Sequence, residues 1–143
     1  MQPNNRPALP SKASLCGGWV ITTLVVLFLV FDGVTKVIKI APVIEASVRL
    51  ELPVGLIVGI GIVLLVCTLL YAIPSTSILG AILLTGYLGG AVMIQLRAGS
   101  PLLSEALLPV YFGVLVWAGL FLRDVRLRSL IPVRRQKVAE GID

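Results

Sequence analysis

The sequence predicts an all-α integral membrane protein: a four-helix bundle with a short amphipathic helix between its first and second spans. Composition is the first reason. Of the 143 residues, 57% are hydrophobic and 13% charged, against about 25% charged in soluble globular chains. The mean hydropathy is +1.03. The second reason is length. Apolar stretches near 18–38, 53–73, 77–97 and 102–122 each reach the roughly 18–20 residues that cross hydrocarbon. They use more than half the chain and leave no room for a separate soluble domain.

The charge pattern orients the bundle. The formal charge of +5 could suggest nucleic acid, but the cations are not placed for that. Arg123, Arg126, Arg128, Arg134, Arg135 and Lys137 follow the last span, and Arg6 and Lys12 precede the first. Four spans put both tails on one side, and the excess of Lys and Arg makes that side cytoplasmic. The other side carries only Lys36, Lys39, Arg49 and Arg97. The bilayer is thus the expected partner, with no nucleic acid, and the basic tail can also lie on anionic headgroups.

Residues 1–15, with Pro3, Pro7 and Pro10 among polar residues, read as a disordered cytoplasmic leader. Residues 16–124 form the four-span domain, and 125–143 a basic cytoplasmic tail. The first apolar run lacks a small-x-small cleavage site and runs on into Asp32 and Lys36, so it should stay as a span. Ala13-Ser14-Leu15-Cys16 is not a lipoprotein box, because Leu15 is too large and the hydrophobic segment follows Cys16 instead of preceding it.

Ala41 to Leu52 carries Pro42 near a helix start, apolar residues at Val43, Ile44, Val48 and Leu52, and a Glu45–Arg49 pair one turn apart. That pattern predicts a short amphipathic helix over the outer end of the bundle. Pro53 opens the second span. The turn Pro74-Ser75-Thr76 permits only an antiparallel hairpin, so the second and third spans are neighbours. Ala81, Thr85 and Gly89, with Gly86 and Gly90 beside them, form a small-residue ridge on the third span. Gly55, Gly59 and Gly113 add to this on the second and fourth. Such ridges predict close packing within the bundle, with a homodimer face as the alternative. The two halves show no repeat, which argues against an inverted-repeat transporter.

Several chemistries are excluded. Histidine is absent, which removes the usual haem ligand and the commonest zinc ligand and general base. Cys16 and Cys67 both fall on the reducing side, so a structural disulfide is not expected, and Cys67 reads as a small core hydrophobe. No nucleophile–base pair, paired carboxylates or phosphate loop is present. No catalytic residue, metal or cofactor is therefore assigned, and no catalytic activity of its own is expected.

Asp32 and Lys36 are the informative exceptions. Asp32 lies about 13 residues past Trp19, roughly 20 Å in at 1.5 Å per residue, and Lys36 one turn further out. Charges at that depth mark a cavity, a pathway or a helix lock. Gln95 and Arg97 close the third span at the same end, and Glu105 lies near the start of the fourth. A polar outer vestibule of Asp32, Lys36, Gln95, Arg97 and Glu105 is the natural inference. Two readings are open. Asp32 pairs with Lys36 or Arg97 and fixes helix register, or it serves a ligand or a proton.

Several segments also resemble a known family. They are Phe31-Asp32-Gly33-Val34-Thr35-Lys36, Ala41-Pro42-Val43-Ile44-Glu45-Ala46, and Leu84-Thr85-Gly86-Tyr87-Leu88-Gly89-Gly90-Ala91-Val92. Arg97-Ala98-Gly99-Ser100-Pro101 and Pro109-Val110-Tyr111-Phe112-Gly113 complete the set. In this order they resemble the DoxX-like family of small four-helix bacterial membrane proteins, over about residues 20–130. The resemblance implies the bacterial inner membrane and an accessory subunit beside an oxidoreductase partner in redox metabolism, one that binds a quinone or lipid. Relatives often carry a histidine where this chain has Gln95, so any chemistry that histidine serves is missing here. The alternative function is a small proton- or solute-coupled transporter using Asp32.

Overall fold

Four apolar helices form the frame, and the chain's own punctuation sets their ends. A computed structural model describes residues 11–124 and Leu127; the expected leader falls outside these up to residue 10, as does the basic tail apart from Leu127. Helix α1 runs Lys12–Ile38, α2 Ala41–Arg49, α3 Val54–Ala72 and α4 Ser77–Arg97. A π-helical turn, Leu102–Ala106, leads into α5, Leu108–Arg123. Residues 12–15, read above as leader, are helical. Ser11 caps α1, its Oγ accepting from the Ser14 N–H at 3.2 Å, and that satisfies a first-turn donor well before the apolar stretch begins.

The other breaks also have local causes. Lys39 closes α1 in a left-handed conformation, and Pro42 sits in the first turn of α2. Gly99, at φ +68°, ends α4, a conformation glycine adopts without steric cost. The fourth span is not one regular helix. Pro109 has no N–H to donate, and its ring would crowd the carbonyl of Glu105 in a continuous helix. The chain instead makes a wider turn, with the Ala106 N–H donating to the Pro101 carbonyl at 3.2 Å. Such π-turns are tolerated as single interruptions.

Helices α1, α3, α4 and α5 pack as a ring, each touching the next, and α2 folds back onto α3. The core runs down the centre through Val25, Leu29, Leu64, Tyr71, Leu84, Val116 and Leu120, with Cys67 among them. The outer surface is equally apolar: Leu24, Leu27, Leu69, Leu79, Ile82 and Val114 all point outward. In water such a surface would aggregate; in a bilayer it is the expected exterior. With all four spanning-length helices apolar, the molecule is a multi-pass membrane protein.

The close helix crossings use different glycines from the ridge singled out in the sequence. A Cβ on Gly86, Gly89, Gly90, Gly55 or Gly59 would meet nothing within 4 Å. Those residues face outward. The tight contacts are Gly33 with Gly61 between α1 and α3, Gly18 and Gly119 between α1 and α5, and Gly80 against the Tyr71 backbone between α3 and α4. Gly18, Gly61 and Gly80 lie against a neighbour's backbone, while Gly33 and Gly119 make room for the Leu65 and Thr22 side chains; such close approach drives helix association where water supplies no force. Gly90→Ala should therefore leave the unfolding free energy within about 0.5 kcal/mol of the parent, as read by chaotrope titration in micelles.

Candidate functional site

At the α2 end, α1 brings two charges to one helix face. Asp32 and Lys36, four residues apart, form an ion pair, and their side chains remain 35% and 23% exposed. The backbone behind them is fixed by Thr35, whose Oγ1 donates to the Asp32 carbonyl at 2.8 Å. The Lys36 Cβ packs where a side chain on Gly61 would otherwise stand. The absence of a side chain at Gly61 is what lets the lysine stem lie against α3.

This pair lines a cavity of about 370 Å³ between α1, α3, α4 and the start of α5. Pro42, Val43, Ala46 and Ser47 of α2 form its roof. Phe28 and Phe112, stacked with centroids 4.2 Å apart and planes at 17°, form an aromatic wall, and Tyr87 lines it from α4. Phe28 and Leu108 are both lining residues and exposed outside, so the cavity is reachable from the apolar exterior between α1 and α5. An amphiphile could bring its head to the ion pair while its tail stays in hydrocarbon.

The sequence-derived vestibule residues separate here. Asp32, Lys36 and Gln95 line the cavity; Arg97 and Glu105 do not. Arg97 is exposed at the last turn of α4, where a cation complements the helix dipole. The alternative pairing of Asp32 with Arg97 across the bundle is not made, since the carboxylate is engaged one turn along its own helix by Lys36. Gln95 accepts from the Ser100 hydroxyl at 2.6 Å, which fixes the amide at the end of α4. Glu45 and Arg49 make no ion pair and are exposed; a surface pair of this kind is worth too little to hold two long side chains. The face of α2 that turns inward is Val43, Ala46, Ser47 and Leu50, while Val48 points out.

The opposite end of the bundle carries a second polar cluster. There the Arg123 guanidinium lies over the rings of Trp19 and Tyr71, 5.0 and 5.1 Å from their centroids. Its Nη2 donates to the Tyr71 carbonyl at 2.9 Å, one of the acceptors stranded where α3 ends. Tyr71 is fully buried and donates its hydroxyl to the Val116 carbonyl at 2.9 Å. The signal for this cluster was an arginine ending one span with aromatics at the same depth on two others.

A larger groove of about 640 Å³ lies between α4 and α5. Its polar groups, Thr85 and Trp117, are satisfied by each other through Nε1–Oγ1 at 2.9 Å. It offers acyl chains a surface and offers chemistry nothing. Among the described residues no cluster of three metal-ligating side chains occurs.

Fold and cavity together define a small multi-pass four-helix membrane protein with a charged pair in a largely apolar pocket at the α2 end. A model of the DoxX-like family matches residues 20–119, and the chain belongs to that family. No curated protein and no solved structure matches the chain.

Proposed function

We propose that the protein is a non-catalytic accessory subunit of the bacterial inner membrane that binds the head of a quinone or lipid in the α2-end cavity. One observation carries this reading: a Lys36 ammonium, paired with Asp32, lines a pocket whose other walls are mainly aromatic and aliphatic, with Ser47 and Gln95 adding a hydroxyl and an amide group. Lysine has three donors, so an ammonium engaged by one carboxylate can still donate to a carbonyl or phosphate oxygen. The Phe28–Phe112 stack and Tyr87 suit a planar ring beside it. Family membership supports association with redox metabolism and an oxidoreductase partner. An accessory subunit needs a face for that partner or for a second copy, and the α4 face carrying Gly86 and Gly90 is free of the chain's own contacts. The basic flanks support cytoplasmic termini. The ion pair counts against Asp32 as a mobile proton carrier, since a carrier would have to break it in every cycle.

The test is purification from native membranes followed by organic extraction. A quinone or a defined lipid should accompany the wild-type protein in near-stoichiometric amount. The charge-neutral double variant Asp32→Asn/Lys36→Met should lose it by about tenfold, the value of one charge-assisted hydrogen bond. Wild-type protein that yields neither a bound lipophile nor a partner subunit would contradict the proposal.

A further inference from the structure

The α2-end cavity carries polar groups on opposite walls, and they sort its possible occupants by charge. Asp32 and Lys36 are the only charged residues in its lining, and as an ion pair they neutralise each other. A phosphate or carboxylate head would meet the Asp32 carboxylate wherever it met the Lys36 ammonium. An anion left without a counter-charge of its own is costly to hold away from water. An uncharged head escapes that cost, and the ammonium still has N–H groups to give it.

The other polar wall is α4. Helices α1 and α4 each pack on α3 and α5, so they stand diagonally across the ring. Tyr87, Ala91 and Gln95 line the cavity from α4 at four-residue steps, on one helix face. The Gln95 Oε1 is taken by the Ser100 hydroxyl. Tyr87 is the group left over. The Tyr71 hydroxyl donates to the Val116 carbonyl at 2.9 Å, whereas that of Tyr87 makes no hydrogen bond among the described residues. Nor is it sealed inside protein: among the described side chains, Arg123 Nη1 is the one polar atom both buried and unpaired. The half-buried Tyr87 therefore keeps an accessible, unmatched hydroxyl, and this is the cavity it borders. A phenol away from water favours a partner.

We infer that Tyr87 is the second anchor of the head bound in this cavity, and that the head is an uncharged ring with hydrogen-bonding oxygens on opposite edges, one toward Lys36 and one toward the Tyr87 hydroxyl. The inference rests on the reading of this cavity as a lipophile site and narrows it, because a phospholipid or fatty-acid head is excluded by charge. The Phe28–Phe112 stack supplies the wall against which such a ring lies.

Equilibrium binding to the full chain in nanodiscs tests it, with tritiated probes that share a decyl tail and a six-membered ring. Decyl-p-benzoquinone is uncharged with oxygens on opposite edges, p-decylbenzoate is an anion, and decylbenzene has no oxygen. The quinone should bind the wild-type protein best, and the benzoate should not compete with it. Tyr87→Phe removes a hydroxyl and leaves the ring in place. It should lower quinone affinity about fivefold and leave decylbenzene unchanged, whereas a loosened cavity would weaken both. Asp32→Asn leaves Lys36 as an uncompensated cation and should raise benzoate affinity about tenfold. Benzoate binding the wild-type protein as tightly as the quinone would overturn the inference. So would quinone binding unaffected by Tyr87→Phe, or benzoate binding unaffected by Asp32→Asn. In each of those cases a loss of quinone in Asp32→Asn/Lys36→Met would still leave the cavity a lipophile site, and no binding of any probe would overturn both readings.

Discussion

Gly61→Leu is expected to destabilise the bundle by about 3 kcal/mol, the upper range for overpacking a close contact. A Cβ at this position would lie 2.9 Å from the Gly33 carbonyl oxygen and 2.9 Å from the Lys36 Cβ. Neither is the free end of a flexible chain, so α1 and α3 must separate. Gly59 supplies the control. It lies two residues earlier on the same helix, and a Cβ there meets nothing within 4 Å. Gly59→Leu should leave stability near the parent value, and chaotrope titration followed by helical circular dichroism separates the two. Equal effects would mean that α1 and α3 do not cross at Gly33 and Gly61.

The second large effect concerns the ion pair. Removing one partner of a buried pair costs about 3–5 kcal/mol, because the other charge is left in a poor solvent. Asp32 and Lys36 keep 35% and 23% of their side-chain exposure, so water offsets part of that, and Lys36→Met should cost about 2 kcal/mol. The double variant Asp32→Asn/Lys36→Met should regain most of this loss, since it strands no charge. Unfolding free energies of the two variants and the parent check it. A double variant no more stable than Lys36→Met would contradict the pairing.

Much of the frame was legible in the sequence because crossing a bilayer is a matter of length and apolarity, and both are local. The helix over Ala41–Arg49 was equally readable from Pro42 and its apolar spacing. The placement of Asp32, Lys36 and Gln95 at one end followed from counting residues along two spans. What the sequence did not reveal is which face of each helix is packed. Lipid-facing Leu24 and core Val25 are both apolar, so periodicity does not separate bundle interior from exterior as it does in water. Hence Gly86 and Gly90 looked like packing glycines, while Gly33, Gly61 and Gly119 make the contacts. Arg97 and Glu105 lie at the depth of the cavity but not in it, because depth fixes one coordinate and helix rotation the other. Arg123 read only as one of the cations that follow the last span, although its guanidinium reaches back over Trp19 and Tyr71. Only the fold brings those three helices to one place.

The lipophile's head is expected between α1, α2 and α4 beside Lys36. The most direct measurement is photo-crosslinking of a short-tailed benzoquinone bearing a diazirine to the protein in nanodiscs, with adducts mapped by peptide mass spectrometry. Adducts should concentrate on Phe28, Tyr87, Ala91 and Phe112, and should fall in the Asp32→Asn/Lys36→Met variant. Adducts spread over lipid-facing positions such as Leu24, Leu69 and Ile82, or confined to the groove between α4 and α5 and unchanged in the variant, would contradict it.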